Sequence, residues 1–207
     1  MIRVGLSGSR FAGKDRVCKL FKQCGVPIFD ADVVLKFILN YNYELLGRVK
    51  SEVGEICFTN GLLDMKAILN NKLFDKVMDI IEPDLFNSYK RFEEVHKESV
   101  YTIFNSSILF ERDWQKKMDY NISVFTPKNQ RISRAQFTTT QSITDLHKLA
   151  NSEIDELVKN RLADFVIHNY ESNSDVLDDV CKIDKMIIDD YLIKLRNEKK
   201  NKNEIAL

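Results

Sequence analysis

Ile2-Arg3-Val4-Gly5-Leu6-Ser7-Gly8-Ser9-Arg10-Phe11-Ala12-Gly13-Lys14-Asp15 is the stretch that decides the fold. Its β-prone opening stops at Ser7-Gly8, and after Lys14 the apolar Val17, Leu20, Phe21 and Cys24 return at helical spacing. The reading is strand, glycine loop, helix. Gly8 to Asp15 has the spacing GxxxxGK of a phosphate-binding loop, followed by Asp where Ser or Thr is usual. In such a loop, backbone N–H groups curl around a phosphate at a helix N-terminus, whose dipole favours the anion, and the lysine reaches the β and γ phosphates. Gly8, Ser9, Arg10, Phe11, Ala12, Gly13, Lys14 and Asp15 are therefore the candidate nucleotide-binding residues. The plainer alternative is a glycine-rich turn with a solvated Lys14.

Outward from the loop, Gly25 to Phe29 gives a turn and a second strand ending at Asp30-Ala31-Asp32, where a helix starts with Val33, Val34, Phe37 and Ile38 inward. From Tyr41 to Ser99 the chain is mostly helical and highly charged, broken at Gly54 and Asn60-Gly61, with Pro83 opening a segment whose Leu85, Phe86, Tyr89 and Phe92 share a face. Strand character returns at 100–104 and 120–125, on either side of a short helix around Trp114. Lys128 to Ala135 reads as helix and Phe137 to Thr144 as an aperiodic polar stretch suited to a lid. Leu146, Leu149, Ala150, Ile154, Leu157, Val158 and Leu162 mark one long amphipathic helix. A last strand at Asp164 to His168 precedes a closing helix and a charged, frayed tail from Asn197 to Leu207.

This alternation predicts an α/β fold, a parallel sheet flanked by helices, with ligands at the carboxyl ends of the strands. Gly8, Asp32 and Ser106 or Ser107 would meet on that rim. Expected boundaries are a nucleotide-binding core of 1–40, 100–136 and 146–207, an inserted helical lobe of 41–99, which the family resemblance described below makes the substrate-binding lobe, and a lid of 137–145.

Composition narrows the function. The chain has 207 residues, 44% of them hydrophobic, enough for a sizeable core and against a disordered or fibrous chain. Its 31 basic and 31 acidic residues cancel, which argues against holding nucleic acid or anionic lipid by bulk charge, so phosphate chemistry has to be local. Cys18, Cys24, Cys57 and Cys181 form no CxxC pair, and His96, His147 and His168 lie far apart, which points to a reduced compartment and no zinc site. No apolar run approaches a membrane span, so a cytoplasmic protein is expected.

Around the loop stand candidate acids and cations. Asp15 could give Mg²⁺ a charged ligand or could repel the phosphates. Asp32 could accept the proton of an attacking hydroxyl, or could simply be the N-cap of the next helix. Lys128, Arg131 and Arg134, at helical i, i+3, i+6 spacing, could close over ATP phosphates or form a solvated face.

The run from Val4 to Gly8 into Gly13-Lys14, followed by Gly25 to Asp32 with its Asp-Ala-Asp ending, resembles the opening of the dephospho-CoA kinases. Asn60-Gly61-Leu62-Leu63-Asp64, Ile108-Leu109-Phe110-Glu111 and Leu162 to Asn169 resemble further segments of that family, in its order. The resemblance implies a P-loop kinase fold with a five-stranded parallel core, a helical substrate lobe and a lid. It implies transfer of the ATP γ-phosphoryl, with Mg²⁺, to the 3′-hydroxyl of dephospho-CoA. Carried over, Lys14 bridges phosphates, Asp32 is the base, Asp64 and Glu111 lie near the acceptor, and Asn169 lies beside the adenine. Departures accompany it: Asp15 replaces Ser or Thr, Glu82 precedes Pro83 where the family has His, and Met65 replaces an arginine. The family's lid arginine falls near Phe137, leaving Arg131 or Arg134 as substitutes. The same loop also resembles those of some nucleoside or deoxynucleoside monophosphate kinases, and a degenerate nucleotide-binding module without turnover is the third reading.

Overall fold

A computed structural model of the chain describes residues 1–151, 153–170 and 173–205. In chain order the elements are β1 (Ile2–Gly8), α1 (Lys14–Gln23), β2 (Ile28–Asp30), α2 (Ala31–Tyr41), α3 (Tyr43–Val53), β3 (Phe58–Thr59), β4 (Leu62–Leu63), α4 (Met65–Asn70) and α5 (Phe74–Val95). There follow β5 (Tyr101–Asn105), β6 (Tyr120–Phe125), α6 (Lys128–Thr138), α7 (Ile143–Asn151), α8 (Glu156–Leu162), β7 (Phe165–His168) and α9 (Asn173–Ile205). The chain divides into two compact units, 1–29 with 96–207, and 30–95. Helix α2, expected in the core, groups with the helical unit.

All five strand runs read from the sequence join one parallel sheet in the order β2-β5-β1-β6-β7. Val4 pairs with Ile103 on one side and Tyr120 on the other, and Ile122 pairs with Phe165. Strand β1 is central and buried on both faces, which suits its nearly continuous apolar run. Val4, Leu6, Ile103, Ile122, Val124 and Ile167 of the sheet pack with Val17 and Phe21 of α1 and Val176, Val180, Ile183 and Ile187 of α9. The Tyr101 hydroxyl donates to Asp184 Oδ1 at 2.6 Å, tying β5 to α9, and its burial beside that carboxylate pushes its pKa up. Phe104 stacks on Phe29 at 5.5 Å and meets the edge of buried Trp114 at 5.8 Å.

In the helical unit, α5 buries Val77, Met78, Ile81, Leu85 and Tyr89. Arg48 of α3 donates to Ile80 O and to Asp84, holding α3 to α5. Pro83 lies inside α5 rather than opening a segment: the helix starts nine residues earlier by burying that apolar row, and proceeds without the N–H that would have reached Asp79. The break at Asn60-Gly61 is a two-stranded hairpin, β3-β4, with both turn residues at positive φ. On α2 the inward residues are Ala31, Leu35 and Ile38, whereas Val33 and Phe37 face solvent.

Two other helices differ from their sequence reading. The helix expected over 146–162 is two, because Asp155 starts α8 by accepting the Leu157 N–H. Leu157, Val158 and Leu162 are exposed, and the fully buried side chain of α8 is Lys159. Helix α9 continues through Ile205 into the tail expected to fray, whose last two residues lie outside the described ones.

Candidate functional site

The loop leaves the carboxyl end of the central strand and enters α1. Gly8 lies against β6, where a Cβ would come within 2.6 Å of the Val124 carbonyl oxygen, so a side chain there forces the strands apart. Phe11 and Gly13 both have left-handed φ, 63° and 88°, which turns the chain back over the helix start. The Ala12 N–H closes the turn onto Ser9 O at 3.0 Å. No side chain caps α1, so its first N–H groups remain for an outside anion. The Ser9 hydroxyl is buried in the loop with no hydrogen-bond partner among the described residues. Lys14 and Asp15 occupy the first turn, Lys14 half-buried and Asp15 exposed.

Three neighbours grip the loop from behind. Asn169, just past β7, donates from Nδ2 to Ala12 O at 2.7 Å and accepts from Arg16 Nη1 at 2.5 Å. Thr126, just past β6, has its hydroxyl 3.1 Å from Ala12 O and 3.2 Å from Asn169 O. Arg134 donates to Asn169 O at 2.7 Å and to the Thr126 hydroxyl at 3.3 Å. Asn169 was expected only through resemblance, beside the adenine; in the structure its carboxamide holds the loop backbone. Thr126 was missed altogether, since a threonine after a strand carries no local signal.

Of the three α6 cations only Lys128 is solvated; Arg131 is buried and Arg134 half-buried. Arg131 is 2% exposed, donates to Arg10 O at 2.8 Å and pairs with Glu153 and Glu156. Burial pulls its pKa below the usual guanidinium value, with Glu153 opposing the shift. Its charge is therefore compensated by two carboxylates of the protein itself. Glu153 also accepts the Arg10 N–H at 3.0 Å, so a carboxylate sits on the loop backbone itself. Lys128 is exposed and hydrogen-bonded to Asn151. In the expected lid, α6 runs on to Thr138 and α7 begins at Ile143; Phe137, where the family's arginine falls, is 88% exposed.

The acids separate by what they touch. Asp30, not Asp32, caps α2 by accepting the Val33 N–H at 3.0 Å, so capping does not account for Asp32, half-buried in the first helical turn. Asp64 caps α4 through the Lys66 and Ala67 N–H groups and accepts from Thr59. These bonds, led by that from Ala67, hold its pKa below the ordinary carboxylate range. Glu111, beyond β5, forms an ion pair with buried Lys159 at 2.6 Å. Sequence periodicity missed Lys159 because it treats every lysine as solvated.

The same architecture occurs in a Thermus thermophilus protein of known crystal structure, with a TM-score of 0.74 at 21% identity over 88% of this chain and 95% of that one. It occurs also in a dephospho-CoA kinase from Campylobacter jejuni, with a TM-score of 0.59 at 21% identity over 89% and 96%. The fold is that of the P-loop kinases, in keeping with strand, glycine loop and helix at the centre of a parallel sheet. Among curated proteins, the dephospho-CoA kinase of Clostridium tetani is 23% identical over 81% of this chain and 78% of its own length. That of Listeria monocytogenes is 28% identical over 82% and 88%. The family model described as dephospho-CoA kinase matches residues 2–175, and the chain belongs to that family of phosphotransferases.

Proposed function

We propose that the protein transfers the γ-phosphoryl group of ATP to the 3′-hydroxyl of dephospho-CoA, giving CoA and ADP. What carries this reading is the family match over residues 2–175, in a chain whose Gly8–Asp15 loop offers uncapped helix N–H groups to a phosphate. In the reaction the acceptor oxygen bonds to the γ-phosphorus as the bond to the β-γ bridging oxygen breaks, and the acceptor proton passes to a base. Asp32 is that base, a role supported by the finding that its neighbour caps the helix. Lys14 stabilises charge on the transferring group. Of the two α6 arginines, Arg134 is hydrogen-bonded to neutral oxygens of Thr126 and Asn169 where Arg131 is paired with carboxylates, which supports Arg134 as the one that adds to it. Glu111 and Asp64 contribute on the acceptor side, each through a carboxylate that also has a structural partner.

Among the described residues, the loop at Asp15 is the place that suits magnesium. No three His, Cys, Asp or Glu side chains converge as a metal cage among the described residues. Mg²⁺ commonly uses one or two carboxylates together with substrate phosphates and water, and Asp15 at the loop is such a donor. Bound there, the ion would neutralise phosphate charge. We place the enzyme in the cytoplasm; among the described residues no helix is long and apolar enough to cross a membrane.

Incubation with ATP, Mg²⁺ and either dephospho-CoA or a panel of nucleoside monophosphates, following ADP, tests the assignment. ADP is expected with dephospho-CoA. Turnover with monophosphates alone would overturn the reading, and ATP binding without turnover on any acceptor would make the protein a nucleotide-binding module.

A further inference from the structure

We propose that Asn169 is a positioning residue for the phosphate loop: its carboxamide, together with the Thr126 hydroxyl, fixes the Ala12–Gly13 peptide so that the Gly13 N–H is presented to the nucleotide phosphates. The inference rests on the loop being the phosphate site. It assigns to Asn169 a task different from contact with the adenine.

The orientation of the carboxamide is settled by its partners. Arg16 can only donate and the Ala12 carbonyl can only accept, so Oδ1 must face Arg16 at 2.5 Å and Nδ2 must face Ala12 O at 2.7 Å. Thr126 brings a second donor to the same carbonyl at 3.1 Å. Asn169 is itself 2% exposed and held on both backbone sides: its N–H donates to Phe125 O at 2.8 Å, and its carbonyl accepts from Arg134 at 2.7 Å. Strand β7 thus ends in a fixed clasp rather than a mobile side chain.

The peptide bond converts that clasp into an orientation. No cis peptide occurs among the described residues, and in a planar trans peptide the C=O and N–H vectors point in opposite directions. Drawing the Ala12 oxygen back toward Asn169 and Thr126 therefore aims the Gly13 hydrogen away from them. No acceptor among the described residues takes that N–H. A peptide rotated the other way would offer a carbonyl oxygen to an anion, which repels it. Gly13 is needed for the same reason: it adopts φ 88°, and a Cβ on it would run into the Asn169 carboxamide. Loop and clasp form one unit assembled from residues 157 positions apart.

A phosphate-orienting role and an adenine contact differ in which ligands feel the loss. Binding of ATP, inorganic tripolyphosphate and adenosine is measured by calorimetry for wild type, Asn169→Ala, Thr126→Val and Thr126→Ser. Loss of a buried hydrogen bond to Ala12 should weaken ATP and tripolyphosphate about tenfold in Asn169→Ala, leaving adenosine unchanged. Thr126→Val should weaken the same two ligands by a smaller factor, and Thr126→Ser, which keeps the hydroxyl, should restore them. Thr126→Val carries the test if Asn169→Ala does not fold. Weakened adenosine with unchanged tripolyphosphate would overturn the proposal in favour of an adenine contact. Unchanged affinities in folded variants would overturn it outright. A wild type that binds neither ATP nor tripolyphosphate would overturn the phosphate-loop reading, and the proposal with it.

Discussion

Lys159 lies with its ammonium 2.6 Å from the Glu111 carboxylate, the lysine side chain 2% exposed and the glutamate 21%. Taking either charge out of water without the other is costly, so α8 and the segment after β5 are held together by an interaction whose halves are unfavourable apart.

Removing one half should therefore cost more than removing both. Glu111→Gln is expected to lower unfolding free energy by about 3 kcal/mol or more, and the double variant Glu111→Gln with Lys159→Met to recover most of it in denaturant titration. If Glu111 also serves the acceptor, the double variant will regain stability without regaining turnover.

Lys14 and the fold are separable. Lys14→Ala removes a half-buried cation at the start of α1, so melting should change little while ADP production falls about 100-fold or more. A rate within threefold of wild type would take Lys14 out of the transferring site.

The two neighbouring aspartates should respond in opposite ways. Asp30→Ala removes the α2 cap and should cost about 1 kcal/mol in stability. Asp32→Asn should leave stability nearly intact and reduce turnover by about 100-fold to 10,000-fold, the range of a lost general base. Reversal of the two patterns, read from melts and steady-state rates, would exchange their roles.

Asp64 gives a pH signature. Hydrogen bonds from Ala67, Thr59 and Lys66 lower its folded pKa, so the cap contributes stability above the ordinary carboxylate pKa of about 4 and loses it as pH falls through the lower folded value. The melting difference between wild type and Asp64→Ala should therefore be largest near neutrality and close as the solution is acidified. A difference constant down to pH 2 would show that the carboxylate charge has no part in the cap.

What local sequence could determine was the fold class and the strand, glycine loop and helix at its centre. Alternation of short apolar runs with helical spacing specifies a parallel sheet, and the interval from Gly8 to Lys14 specifies a loop that turns into a helix, because both depend on neighbours a few residues apart. Only tertiary structure decided which side chains leave the solvent and what they meet there. Lys159 is buried while Leu157 and Leu162 of the same helix are exposed, because Glu111 stands across from it. Arg131 is consumed by Glu153 and Glu156 rather than offered outward, Pro83 is carried inside α5 by the packing around it, and Asp30 takes the cap that Asp32 would serve equally well by type. Asn169 reaches Ala12 across 157 positions of the chain. Such pairings follow from burial and charge compensation between distant segments, which no local periodicity records.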